Sequence, residues 1–255
     1  MTFEIVTIPC LSDNYAFLIV RDGKAAVVDV PEAAPIAREV AARGLNVTDI
    51  ILTHHHADHI QGLDALRASL GGDIRVIGHS ADAQRLPPLD LAVGDGDVVD
   101  VLGSEVQVMD VSGHTIGHLA FYMPEAKAAF TADSLMALGC GRVFEGTMPQ
   151  MWDSLSKLAA LPPETVICSG HEYTEANGRF AVTIEPENPD LLARIERIKA
   201  ARAKGEPTVP STLSEELATN PFLRAHLEEV KSGLNMSGRS DAEVFGEIRR
   251  RKDSF

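Results

Sequence analysis

Nine short runs of apolar, often β-branched residues punctuate the first two thirds of the chain, each bounded by turn residues. They are "FEIVTI", "YAFLIV", "AAVVDV", "TDIILT", "IRVIGH", "EVQVMDV", "LAFYM", "AAFTA" and "TVICS", and their length and composition predict strands. Residues 33–43, 62–70 and 149–160 carry a helical pattern instead. Strands and helices mixed in this order predict an α/β layered domain.

The pattern changes after about residue 172. Asn188-Pro189 opens a run with Leu191, Leu192, Ile195 and Ile198 at helical spacing. Thr212-x-x-Glu215 and Ser240-x-x-Glu243 read as capping boxes, each starting a further helix. "GEPTVPST" reads as a proline-containing connector. The expected division is therefore 1–172 for a mixed α/β domain and 173–255 for a helical one.

Composition narrows the class without changing this picture. The 255 residues are 45% hydrophobic and 24% charged, ordinary for a globular protein. No apolar run approaches the roughly 18 to 20 residues that cross a bilayer. "MTFEIVTIPC" lacks the basic and apolar regions of a secretory signal, so the expectation is a cytoplasmic protein without a membrane partner. Cys10, Cys140 and Cys168 form no CxxC pair and read as reduced, buried thiols. A net charge of −14 argues against nucleic acid as a partner. Against that acidic background, Arg249, Arg250, Arg251 and Lys252 stand together in "RRRKDSF".

The candidate chemistry lies just beyond the strands. "THHHADH" follows "TDIIL" and supplies His54, His56, Asp58 and His59. "EVQVMDVSGH" ends in His114, "AAFTAD" in Asp133 and "TVICSGH" in His171. Strand ends that carry His or Asp can converge on one sheet edge. Seven donors exceed what one tetrahedral catalytic zinc takes, which is three protein ligands and a water, and they suit two ions. The expected assignment is His54, His56 and His114 on one ion, and Asp58, His59 and His171 on the other. Asp133 bridges, because one carboxylate offers an oxygen to each. Nitrogen-rich, sulfur-free donors suit zinc first, with iron or manganese as alternatives. His55 is expected to point away, and His79 and His118 are read as non-ligands.

These residues resemble the metallo-β-lactamase superfamily, which implies an αββα sandwich followed here by a C-terminal α-helical domain. Within it, "LSDNYAFLI", "GCGRVFEG", "SGHEYT", "ATNPFLR" and "RRRKDSF" resemble stretches of the glyoxalase II, or hydroxyacylglutathione hydrolase, family. The resemblance implies a small-molecule glutathione thioester, S-D-lactoylglutathione, as substrate, in methylglyoxal detoxification. It implies that Arg142, Tyr173, Arg249 and Lys252 contact the glutathione moiety, with Phe144 standing where the family usually has a tyrosine. A monomer is expected.

The chemistry that follows from the donors is attack by water. Two divalent ions roughly 3.5–4 Å apart lower the pKa of a bridging water, and Asp58 can orient it as well as ligate. A thioester releases a thiolate readily, so no strong general acid is demanded. No GxSxG nucleophile is present. The alternative within the same superfamily is a mononuclear iron dioxygenase acting on glutathione persulfide, which "HADHIQG" also resembles.

Overall fold

A computed structural model of the chain describes residues 2–255 and divides into two compact units. The first comprises residues up to Asp110 together with Gly117–Ala132; the second comprises Val111–Ile116 and Asp133–Phe255. This division by compactness falls among the donor-bearing strand ends, whereas the change of sequence pattern lies near 172.

The first unit opens with β1 (Glu4–Cys10), β2 (Asn14–Arg21) and β3 (Lys24–Val28), followed by α1 (Ala33–Arg43) and β4 (Asn46–Ile51). Next come α2 (Ala57–Ile60), α3 (Leu63–Leu70), β5 (Arg75–His79) and β6 (Leu91–Val93). Strands β1 to β6 form one sheet in sequence order, antiparallel from β1 to β3 and parallel from β3 to β6. Parallel neighbours need crossovers, and α1 and α3 supply two of them. Ile36, Val40, Leu63 and Leu66 of these helices pack with Leu18, Val27, Ile50 and Val76 on one face of the sheet.

The remaining strands of this unit are β7 (Val98–Val101), β8 (Ser104–Asp110), β9 (Leu119–Met123) and β10 (Ala128–Ala132), an antiparallel meander. Phe17 of β2 meets Phe130 of β10 with ring centroids 5.9 Å apart. The other face of the first sheet is thus covered too. Burial on both faces explains why β2 and β3 are nearly continuous apolar runs instead of alternating ones.

The second unit contains β11 (Leu135–Met136), β12 (Gly139–Cys140), α4 (Met148–Ala159), β13 (Val166–Ser169), α5 (Thr174–Ile184) and α6 (Pro189–Arg202). It continues with β14 (Ser211–Thr212), α7 (Leu213–Thr219), α8 (Glu228–Gly233) and α9 (Asp241–Asp253). Strands β11 and β12 form a short hairpin, and β13 pairs with β14. Rings of Phe180, Phe222, Phe245 and Trp152 run through the unit at 6.0 Å centroid spacing.

Helix starts follow the local chemistry. The Asn188 side chain accepts from the backbone of Asp190 and Leu191, with Pro189 in the first turn of α6. At Ser240 the capping box is complete. At Thr212 only half of the expected box forms: the threonine accepts from Glu215 N, but the Glu215 carboxylate goes to Arg197 and Arg194. Ion pairing with the neighbouring helix outcompetes the reciprocal bond.

Candidate metal centre

Each unit carries its own set of donors. In the first, β4 ends and delivers Thr53 and His54 into a buried corner, while α2 carries Asp58 and His59. Asp29, one residue beyond β3, organises this corner. It has φ 57°, and this left-handed turn takes the backbone off the strand line. Its carboxylate accepts from Thr53 N at 2.9 Å and from the Thr53 hydroxyl at 2.8 Å. The same carboxylate lies 2.7 Å from His59 Nδ1.

That network settles tautomers. With its proton given to Asp29, the Thr53 hydroxyl accepts from His54 Nδ1 at 3.1 Å. His54 and His59 therefore both hold their protons on Nδ1 and keep Nε2 as a lone-pair donor. His54 Nε2 converges with His56 Nδ1 at 3.1 Å. Two nitrogens on one tetrahedral ion, with bonds of about 2.0–2.1 Å, stand about 3.3 Å apart. Asn14 of β2 donates to both the carbonyl and Oδ2 of Asp58, at 3.0 Å each, which fixes that carboxylate. His59 Nε2 lies 3.9 Å from the same Oδ2.

His55, His118 and His79 complete the histidines of this unit. His55 turns to the buried Asp82, with Nδ1 3.1 Å from its Oδ2, and Arg85 pairs with the same carboxylate. His118 stacks on His54 at 4.6 Å and 16°, packing that ring from one side. His79 caps a short turn by accepting from Ala81 N.

In the second unit, His114, Asp133 and His171 are all buried and meet around one oxygen. Asp133 Oδ2 lies 3.4 Å from His114 Nε2 and 3.4 Å from His171 Nε2. His114 Nδ1 donates to the Arg142 carbonyl at 2.8 Å. Phe144 N closes the loop by donating to the His114 carbonyl at 3.2 Å. Glycine is required at two points here. A Cβ on Gly141 would strike the Asp133 carbonyl and stand 2.8 Å from His114 Nδ1; one on Gly113 would collide with Met151.

The residues expected to contact substrate also belong to this unit. Tyr173 stacks on His171 at 4.7 Å and 8°, and Phe144 leans on His114 at 5.3 Å. Both rings are exposed. Arg142 is exposed and approaches Asp253 at 3.7 Å. Lys252 lies half-buried over Phe180 and Phe255 and donates to the Ala176 carbonyl. Arg249 is placed differently from the expectation of an open anion grip. It is only 3% exposed, donates to the Cys140 carbonyl at 2.9 Å and pairs with Asp253 at 2.9 Å.

Sequence reasoning overlooked Asp29 and Asn14. Asp29 satisfied the criterion that found the others, a carboxylate closing the strand "AAVVDV". Asn14 had no comparable signal, since its role depends on a tertiary approach to Asp58.

Comparison with known proteins adds an independent finding. The model of the metallo-beta-lactamase superfamily matches residues 12–171, and that of the hydroxyacylglutathione hydrolase C-terminus matches residues 172–255. A hydroxyacylglutathione hydrolase of Cereibacter sphaeroides is 58% identical over 257 residues, covering all of both chains. One from Roseobacter denitrificans is 60% identical with the same coverage. Among solved structures, TTHA1623 in a di-iron-bound form is 26% identical, with a TM-score of 0.59 over 86% of this chain and 98% of that one.

Proposed function

The chain belongs to the hydroxyacylglutathione hydrolase family of the metallo-β-lactamase superfamily, and from that premise we propose that it hydrolyses S-D-lactoylglutathione to glutathione and D-lactate in methylglyoxal detoxification. The observation that carries this is the Asp133 carboxylate, with one oxygen equidistant from two buried imidazoles.

The donors suit a pair of divalent ions. His54, His56 and His114 would hold one; Asp58, His59 and His171 the other; Asp133 would serve both. Zinc is the metal proposed, given nitrogen and carboxylate donors without thiolate. The relative solved with two irons supports the count of two. When bound, such a pair supplies an acidified water and polarises the thioester carbonyl.

The chain's own residues do the rest. Asn14 holds Asp58 so that its carboxylate can accept a hydrogen bond from the attacking water and fix its direction. Asp29 holds His54 and His59 in the donor tautomer. Tyr173, Phe144, Arg142 and Lys252 are proposed to contact the glutathione moiety, the bases meeting its carboxylates. Arg249 joins this set through Asp253, which it shares with Arg142. The glutathione thiolate leaves without needing a strong acid.

A monomer in the cytoplasm is the proposed state. Three buried free thiols support the location; no helix among the described residues is long and apolar enough to cross a membrane. The persulfide dioxygenase alternative is disfavoured by full-length relatedness to the hydrolases. The deciding experiment is hydrolysis of S-D-lactoylglutathione by metal-replete protein, with metals counted on the same sample and removed by a chelator. Two ions per chain and loss of turnover on removal are expected. One iron with oxygen consumption would overturn the proposal.

A further inference from the structure

The hairpin of β11 and β12 is buried, yet its backbone groups are held by side chains from far along the sequence. Ala137 and Leu138 form its tip, with Leu138 at φ 55°, and neither is exposed. A buried turn has no water to satisfy its amides and carbonyls, so protein groups must do so. Asn220 Nδ2 lies 3.1 Å from the Met136 carbonyl and 3.0 Å from that of Gly139. Asn177 donates to the Ala137 carbonyl at 3.1 Å, and Leu138 N donates to Glu216 Oε2 at 2.9 Å. Arg249 takes the Cys140 carbonyl. Five consecutive residues are clasped by four side chains from α5, α7, the turn after it and α9.

The clasp is itself rigid. Glu216 and Asn220 are wholly buried, and Arg194 is nearly so. Arg194 pairs with Glu216 and donates to the Thr219 hydroxyl at 2.7 Å; Asn220 donates to Glu216 and accepts from Phe222 N at 3.0 Å. No residue of the hairpin is among the proposed metal donors or glutathione contacts. What the hairpin does is join two donor positions. Asp133 stands two residues before β11, and Gly141 N, just after β12, donates to the Asp133 carbonyl at 3.0 Å. The next residue, Arg142, offers the carbonyl that orients His114.

We propose that Asn177, Glu216 and Asn220 are positioning residues for the metal centre, setting Asp133 and His114 through the hairpin they clasp. This rests on Asp133 and His114 being metal donors, as proposed above. The helical segment proposed to supply substrate contacts would then also set metal affinity.

The test compares Asn177→Ala and Asn220→Ala with Val230→Ala, a buried truncation in α8 outside the clasp and hairpin. Zinc affinity is measured by competition with a chromophoric chelator, alongside Tm and steady-state kinetics on S-D-lactoylglutathione. Outer-shell partners of ligands typically govern metal affinity or activity by about 10- to 100-fold, and that is the expected loss in zinc affinity and kcat for both asparagine variants. KM should stay within about twofold, since glutathione contacts are untouched. Val230→Ala should keep wild-type zinc affinity at a comparable loss of Tm. Unchanged zinc affinity in both asparagine variants would overturn the proposal, as would losses that simply track Tm across all three. If Asn220→Ala does not fold, Asn177→Ala, which removes a single hydrogen bond to the hairpin, decides. The zinc measurement needs no turnover, so an inactive wild-type protein would refute the thioester reading while the clasp is still judged on metal affinity.

Discussion

His114 Nδ1 donates a hydrogen bond to the Arg142 carbonyl at 2.8 Å, and this one contact determines which nitrogen His114 can offer a metal. A carbonyl only accepts, so the proton sits on Nδ1 and Nε2 keeps its lone pair, facing Asp133 Oδ2. Arg142 therefore has two separable roles: its backbone orients the His114 ring while its side chain remains exposed.

Gly141 makes that contact possible, and its replacement gives the first prediction. A Cβ there has the Asp133 carbonyl and the His114 ring in its way, both belonging to buried groups that cannot easily yield. Gly141→Ala should weaken zinc binding and lower kcat by about 10- to 100-fold, the range seen when a ligand's orienting partner is lost. Metal content by elemental analysis and kcat on the same preparation check it. Wild-type metal content would mean that the Asp133 region tolerates the displacement.

Asp29 carries the second prediction. One buried carboxylate satisfies Thr53 N, the Thr53 hydroxyl and His59 Nδ1, so its removal releases two histidines at once. Asp29→Ala should cost zinc affinity about 10- to 100-fold. It should also destabilise the apo protein, because buried donors are left unmet at about 1–3 kcal/mol each. KM should change little. Chelator competition and urea unfolding separate the two effects; a variant that loses stability but binds zinc normally would remove Asp29 from the ligand-orienting role.

The donors were legible because each closes a strand that the apolar pattern already marks: His54 after β4, Asp133 after β10, His171 after β13. All nine expected strands are present: burial on both faces writes β2, β3, β9 and β10 as apolar runs, while β8 alternates between buried and exposed positions. Strands β11, β12 and β14 span two residues each, too short for any periodicity. Helix α5 escaped notice because its buried positions include Thr174, Asn177 and Gly178. The hydrogen bonds that aim the donors were illegible altogether. Asn14 to Asp58 spans 44 residues and Leu138 to Glu216 spans 78, and no local signal records such pairings.

The third prediction concerns the thiols. Burial pushes Cys10 and Cys140 up to about 11 and Cys168 further still; the Arg249 guanidinium opposes this at Cys140 without reversing it. The thiolate is the reactive form, so at pH 8 native alkylation should run at least roughly 100-fold slower than for a free cysteine. Treatment with iodoacetamide should leave turnover intact. Mass spectrometry of the intact protein checks the modification, and rapid inactivation with one adduct would point to a thiol in the mechanism.

The last prediction turns on Lys252. Burial, then repulsion from Arg249, Arg179 and Arg142, lowers its pKa to about 8, while Asp253 opposes the shift. The ammonium is therefore charged at pH 7 and loses its proton as pH rises through about 8. A grip on a glutathione carboxylate weakens over the same interval. The free-enzyme pKa appears in kcat/KM, so this parameter should fall between pH 7 and 9, mostly through KM. Lys252→Arg keeps its charge throughout and should remove that alkaline limb while binding well at pH 9. Lys252→Ala should remove the limb as well, but with kcat/KM already lowered about 10- to 100-fold at pH 7, the loss of one charge-assisted hydrogen bond of about 1.5–3 kcal/mol. The pH profiles of the three proteins decide the matter. An alkaline limb that persists in both variants belongs to another group, and Lys252 would then serve only to close α9 over Phe180 and Phe255.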